Sequence, residues 1–189
     1  MSTRKSTIDD FVVIVYLLQK AAEEGRGLTP LQINKLVYIC HGWTLALLDR
    51  PLINNNVNQI QAWKYGPVVQ KVYALLKDFG SQEVTYTSFC QKFGSIGIGE
   101  DTAREIFSSK LDTLATEDRK LYKVLDMAWY VYKDLSGGQL ITITHKNETP
   151  WTQHVKKNML GRVVHGVHIP DHTISAHYKE KLKDLKSED

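Results

Sequence analysis

The sequence predicts a mainly α fold: a single compact helical domain of about six to seven helices with a few short strands. Three observations carry this. Apolar residues recur at three- and four-residue steps through most of the 189-residue chain. Pro30, Pro67 and Pro150 each stand at the head of such a run, where a residue without an N–H costs nothing. Glycines at 25 and 27, 80, 137–138 and 161 punctuate the runs as stops.

The first helix is expected over residues 8–24, with Asp9 and Asp10 at its positive end and Gly25 after it. It is apolar on nearly every face and belongs inside. The second opens on a capping box, Thr29 with Gln32, and Pro30 at the first position. Ile33, Leu36, Val37, Cys40, Trp43 and Leu47 would line its inner face. Asn54, Asn55, Asn56 and Asn58 mark a polar turn, and Ile60 and Ala62 a short extended piece leading to Trp63. A third helix is expected from Pro67 to the stop at Gly80, burying Val68, Val72 and Phe79. Residues 83–89 alternate and are β-branched, which reads as a strand. Residues 94–99 read as a flexible glycine loop, and Thr102 with Glu105 as the cap of a helix reaching Leu114. The next helix starts at Thr116 or Asp118, carries Leu121, Val124, Leu125 and Ala128 on one side, and ends at Gly137–Gly138. Residues 140–144 fit a strand or one helical turn equally. Thr149 and Pro150 start a helix expected to run to Gly161, residues 162–169 could be extended, and Asp171 or Thr173 starts the last helix. The domain spans 1–189, with a core over about 8–182 and a polar tail over 183–189.

Composition narrows the function classes. An apolar content of 42% with 24% charged residues excludes a disordered chain, a collagen and a coiled-coil rod. The longest apolar run, residues 11–18, is too short for the roughly 20 residues of a membrane span. Asp9 and Asp10 against that run do not suit a signal peptide. Cys40 and Cys90 provide no disulfide framework. The expectation is a soluble, cytoplasmic protein that does not engage a membrane.

The residues offer five candidate chemistries. His165, His168, His172 and His177 are close in sequence, but Gly166 and Pro170 leave their convergence unspecified and no H-E-x-x-H pattern is present, so no metal site is assigned. Cys40 and His41 are adjacent, which on a helix points them about 100° apart, and Cys40 lies on the apolar stripe; a catalytic pair is disfavoured. The glycines of 94–99 match neither a dinucleotide fingerprint nor a P-loop. Trp63, Lys64, Tyr65, Lys71, Lys156 and Lys157 mix aromatic and basic groups, yet acids share the same elements and no helix-turn-helix stands out, so nucleic acid is the weaker reading. The last candidate is a partner surface. Four Trp and nine Tyr, several at element boundaries, suit either interface anchoring or the stapling of helix ends to the core, and the residues alone leave both open.

Three stretches carry a resemblance. Residues 28–38, Leu-Thr-Pro-Leu-Gln-Ile-Asn-Lys-Leu-Val-Tyr, continue to Gly42-Trp43. Residues 62–68 read Ala-Trp-Lys-Tyr-Gly-Pro-Val, with Tyr73 beyond. Thr144-His145 precede Pro150-Trp151. In this order and spacing they resemble the Panacea domain family, the SocA-like antitoxins also catalogued as phage-associated GepA-type proteins, over roughly residues 8–182.

The resemblance implies a binding protein rather than an enzyme, with no cofactor: an antitoxin of a bacterial or phage toxin–antitoxin system that neutralises a cognate toxin by direct contact. The alternatives are an adaptor delivering the toxin to a protease, or a nucleic-acid-binding phage regulator. The candidate toxin contacts are Lys35, Tyr38, Trp43, Trp63, Lys64, Tyr65, Gly66, Pro67, Lys71, Thr144, His145 and Trp151. Trp43, Trp63 and Trp151 are expected to meet where the proline-led helix starts converge, with His145 orienting a buried polar contact. Residues 81–99 match no part of the pattern and are a second place for partner choice to reside.

Overall fold

The computed structural model describes residues 10–57 and 59–187, and the side chains of all of these but Asp10, Val57 and Ile96. Ile8 and Asp9, at the expected start of the first helix, lie outside the described residues. Among the described residues there are nine α-helices and one small sheet: α1 (Asp10–Glu23), α2 (Pro30–Leu48), β1 (Ile60–Trp63), β2 (Gly66–Val69), α3 (Gln70–Leu76), α4 (Tyr86–Phe93), α5 (Glu100–Glu117), α6 (Arg119–Tyr132), α7 (Gly137–Thr144), α8 (Pro150–His154), β3 (Val167–His168) and α9 (Asp171–Ser187). The mainly α expectation holds. None of these helices is long and apolar enough to cross a membrane.

α2 is the axis of the fold. Its Thr29–Gln32 capping box forms as expected, each side chain bonded to the other residue's backbone N–H. The helix packs against α1, α3, α6, α7, α9 and β2, so every residue from Ile33 to Ala46 is buried. The expected one-sided stripe is therefore too narrow, and Leu47, assigned to it, is exposed. Periodicity marks a helix with one wet face, and α2 has none. α1 contributes the continuous buried run Val12 to Leu18.

The differences elsewhere have local causes. Pro67 does not start a helix: it sits in β2, and α3 begins at Gln70. Residues 83–89 do not form a strand. Val84 makes one bridge to Leu28, and α4 starts at Tyr86 behind a Thr85–Ser88 capping box, an N-terminal signal that outweighs β-branched composition. α5 already begins at Glu100, so Thr102 lies inside it rather than capping it. α6 ends at Tyr132, before Gly137 and Gly138. Those glycines open α7, capped by Ser136 and Gln139, which also settles residues 140–144 as helical. α8 stops at His154 instead of Gly161, because residues 156–164 turn back on themselves as a hairpin. α9 runs on to Ser187.

Residues 81–99 have a packing role. Phe89 and Phe93 of α4 meet Phe11 of α1 and Phe107 of α5, with ring centroids 4.6–5.9 Å apart. Between α4 and α5 the chain makes a π-type turn, Gly94–Ile98, with Gly97 at φ 112°.

The asparagine-rich turn is tied inward. Buried His41 accepts the Ile53 N–H at Nδ1 (3.0 Å), which leaves Nε2 to donate to Asp171 (3.1 Å). Asn55 donates to the Ile169 carbonyl (2.9 Å) and to Asp171 (2.7 Å), and accepts from the Ile60 N–H (2.9 Å). Burial pushes the Asp171 carboxyl up, but the bonds from His41 and Asn55 outweigh it and hold it below its usual range. The start of α9, α2 and the entry to β1 are thus pinned at one point.

α2 and α9 approach at Gly42, where a Cβ would fall inside the envelope of the Tyr178 ring. Gly42→Ala is expected to cost about 1–3 kcal/mol through overpacking. Urea unfolding should show it as a lower midpoint with an unchanged slope.

Candidate partner-binding site

The sheet has the order β2-β1-β3 with both pairings antiparallel. β2 is therefore an edge, and its outer side faces α2. In a strand, residues two apart present their backbone groups to the same side. The Gln70 N–H reaches the Gln59 carbonyl across the sheet (2.7 Å), so residues 67 and 69 present theirs to α2. Two consecutive α2 side chains close this edge. Asn34 donates to the Val69 carbonyl and accepts the Val69 N–H, both at 3.0 Å. Lys35 donates from Nζ to the Pro67 carbonyl at 2.7 Å. Proline has no N–H, so position 67 leaves no donor stranded against the helix.

Lys35 is 0% exposed. Burial pushes its ammonium down to about 7. Beside it, Gly66 adopts φ +98°, and a Cβ there would sit 3.0 Å from Lys35 Nζ, 3.1 Å from His145 Nε2 and 3.1 Å from Thr144 Oγ1. These three polar atoms therefore crowd the one side of Gly66 where a side chain would project. Thr144 hydrogen-bonds the Leu140 carbonyl (2.9 Å), and Thr149 donates to the Thr144 carbonyl (3.0 Å). His145 caps the end of α7 and stacks on Trp151, centroids 3.7 Å apart and nearly parallel. Trp151 Nε1 in turn donates to the Trp63 carbonyl (2.8 Å).

His145 does not orient a polar contact as expected: its Nε2 is buried with no hydrogen-bond partner. Burial first, and then the Lys35 charge, lower its pKa. A lone pair on Nε2 is the state compatible with a neighbouring ammonium.

Segments far apart in sequence thus meet at one buried junction beneath the β1–β2 turn, and what emerges above it is aromatic and basic. Lys64 and Tyr65 form the turn, Tyr65 is 58% exposed, and the Lys64 ammonium lies 5.1 Å from its ring. Trp63, half-buried, packs edge-on against Tyr73 of α3 (4.8 Å) and His165 (5.0 Å). Lys71 is exposed on α3. Trp43 does not join Trp63 and Trp151. It lies about two turns further along α2, donates to the Tyr132 hydroxyl (3.3 Å) and packs on Tyr178 (5.1 Å). Tyr38, also on α2, is buried against Tyr178.

The candidates therefore divide. Lys35, Gly66, Pro67, Thr144, Tyr38 and Trp43 are buried; Lys64, Tyr65 and Lys71 are exposed; Trp63, His145 and Trp151 lie between. Asn34 was missed, although an amide inside a run of buried apolar residues was the signal. The C-terminal histidines have separate surroundings: His165 on Trp63, His168 at Asn55 (3.1 Å), His172 exposed, His177 against Tyr178. Cys40 and Cys90 are buried free thiols, and burial pushes Cys40 up to about 12.

The family model for "Antitoxin SocA-like, Panacea domain" matches residues 33–152, a span that contains the whole junction from Lys35 to Trp151. The chain belongs to this family. It is also similar to the protein named Antitoxin SocA of Caulobacter vibrioides (strain NA1000 / CB15N), with 25% identity over 146 residues, covering 77% of this chain and 69% of that one. No solved structure matches. In this Panacea domain the family match thus falls on a helix side-chain pair that closes a sheet edge and on the turn held above it.

The junction makes stability depend on pH. Unfolded, Lys35 stays protonated to about 10.5; folded, it releases its proton near 7. Between these values the unfolded chain binds more protons, so stability rises with pH, by at most about 1.4 kcal/mol per unit. Urea unfolding over roughly pH 7–8.5, below the range where buried tyrosines and Cys40 oppose the trend, should show this rise. Lys35→Met should flatten it. Gly66→Ala should destabilise the fold, because its methyl meets three polar atoms and a backbone that L-residues rarely adopt.

Proposed function

We propose that this chain is an antitoxin that neutralises a toxin protein in the cytoplasm by direct, non-covalent binding. The observation that carries this reading is the turn of Lys64 and Tyr65, held from beneath by a buried lysine and flanked by Trp63 and Tyr73. A rigid aromatic patch is what protein interfaces use as an anchor, since little side-chain freedom is lost on docking. Membership of an antitoxin family and similarity to a protein named Antitoxin SocA support it.

Binding is favoured over catalysis by where the reactive groups lie. Lys35, whose lowered pKa would suit a nucleophile, has no exposed surface, and the Cys40 thiol is buried and held protonated. Neither is accessible to a substrate in this fold.

The test is co-expression with the products of neighbouring genes. One of them is expected to arrest growth alone, to be tolerated when this chain is co-expressed, and to co-purify with it at fixed stoichiometry. Toxin abundance separates the two modes of neutralisation. Constant levels in the rescued cells support direct inhibition, while a protease-dependent fall indicates delivery to a protease. If no neighbouring product is toxic and rescued, the antitoxin reading is wrong.

A further inference from the structure

Charge is unevenly placed along this chain. Lys and Arg total 24 against 21 Asp and Glu, a near balance. Yet no acid occurs between Asp49 and Asp78, a stretch holding Arg50, Lys64, Lys71 and Lys77. None occurs between Glu148 and Asp171 either, where Lys156, Lys157 and Arg162 lie. The fold sets these two acid-free stretches side by side. β1 pairs with β3 (Gln61 with His168, Ala62 with Val167), the His165 ring packs on Trp63, and Trp151 bonds the Trp63 carbonyl.

The second stretch contains an ordered hairpin. Lys157 bridges Val163, the Val164 N–H reaches the Lys156 carbonyl (2.8 Å), and the Asn158 N–H reaches the Arg162 carbonyl (2.9 Å). The Asn158 side chain accepts the N–H groups of Leu160 and Arg162, both at 3.0 Å, from inside the turn. This braced tip presents Met159 at 104% and Leu160 at 77% exposure. Two large apolar side chains held out on a hydrogen-bonded turn gain roughly 25 cal/mol per Å² when a partner covers them, and the bracing lowers the ordering cost.

Resting on the antitoxin reading, we propose that the hairpin of residues 156–164, together with the Lys64–Tyr65 turn, is the toxin-docking face, and that it takes an acidic segment of the toxin bearing an apolar recess for Met159 and Leu160. Lys64, Lys156, Lys157 and Arg162, exposed on stretches that carry no acid of their own, favour an acidic partner segment. The apolar tip favours a protein over a nucleic acid, whose phosphates give Met159 and Leu160 nothing to pack against.

The test uses the full-length chain and the toxin identified by growth rescue. Three variants are compared with the wild type: Lys156→Glu/Lys157→Glu/Arg162→Glu, Met159→Ser/Leu160→Ser, and, as a control on exposed charges of α6 and α9, Lys120→Glu/Lys186→Glu. All these side chains are exposed, and circular dichroism with thermal melting verifies folding. The charge variant is expected to weaken toxin binding at least tenfold, mainly by slower association that salt mimics in the wild type. The apolar variant should weaken it at least tenfold through faster dissociation, and the control should match the wild type. A tenfold loss in either face variant supports the docking face. Wild-type affinity in both overturns it while leaving the antitoxin reading intact. Retained toxin binding with loss of affinity for mixed-sequence RNA reassigns the face to nucleic acid and also overturns it. A wild type that binds no toxin removes the antitoxin reading and this inference together.

Discussion

The hydrogen bond from the buried Lys35 ammonium to the Pro67 carbonyl is the constraint on which the site depends. Removing a cation from water costs several kcal/mol; here one carbonyl acceptor offsets part of that cost, and the lowered pKa expresses what is left of it. The arrangement works because three residues fit one another. Asn34 takes both backbone groups of Val69, Lys35 takes the one backbone group Pro67 has, and Gly66 supplies the positive φ and the missing side chain that let the lysine, His145 and Thr144 close around it. An edge strand is ordinarily a liability because its backbone groups are open to other chains. In this fold the central helix finishes the edge with its own side chains.

That junction explains how a small three-stranded sheet can carry a stiff surface. A two-stranded turn is marginal on its own. This one is held from below by α2 and from the side by Trp151, itself seated on α8 and stacked on the end of α7. Trp63 then lies between Tyr73 and His165. The aromatic groups that reach the surface belong to a frame whose conformational entropy was already lost on folding. Among the aromatic residues, Trp43 and Tyr38 staple helices, while Tyr65 stands free of the core.

Much of the fold was legible because helix starts are written locally. The Thr29–Gln32 box, the Thr149–Pro150 start and the stripes of α6 and α9 all act within a few residues, and each formed near its expected position. The errors share a cause. The Thr85–Ser88 and Ser136–Gln139 boxes carry no proline, and the second encloses two glycines, Gly137 and Gly138, that read as a stop. Pro67 reads equally well as a helix start or as a strand residue with no N–H to satisfy, and only the presence of α2 beside it selects the strand. In the site, the residue types were visible, but their burial was not: Lys35, with a long charged side chain, gave no sign that it would be 0% exposed.

The sequence by itself determined the helical class, most helix starts and the family motifs, because capping, proline geometry and apolar periodicity act over one or two turns of chain. Tertiary structure alone decided which motif residues lie beneath the surface and which reach it. It also brought two acid-free stretches together across β1 and β3. Both outcomes follow from contacts between residues up to about a hundred positions apart, where the deciding quantity is which backbone groups and charges remain unpaired once the helices have packed, and no local pattern encodes that.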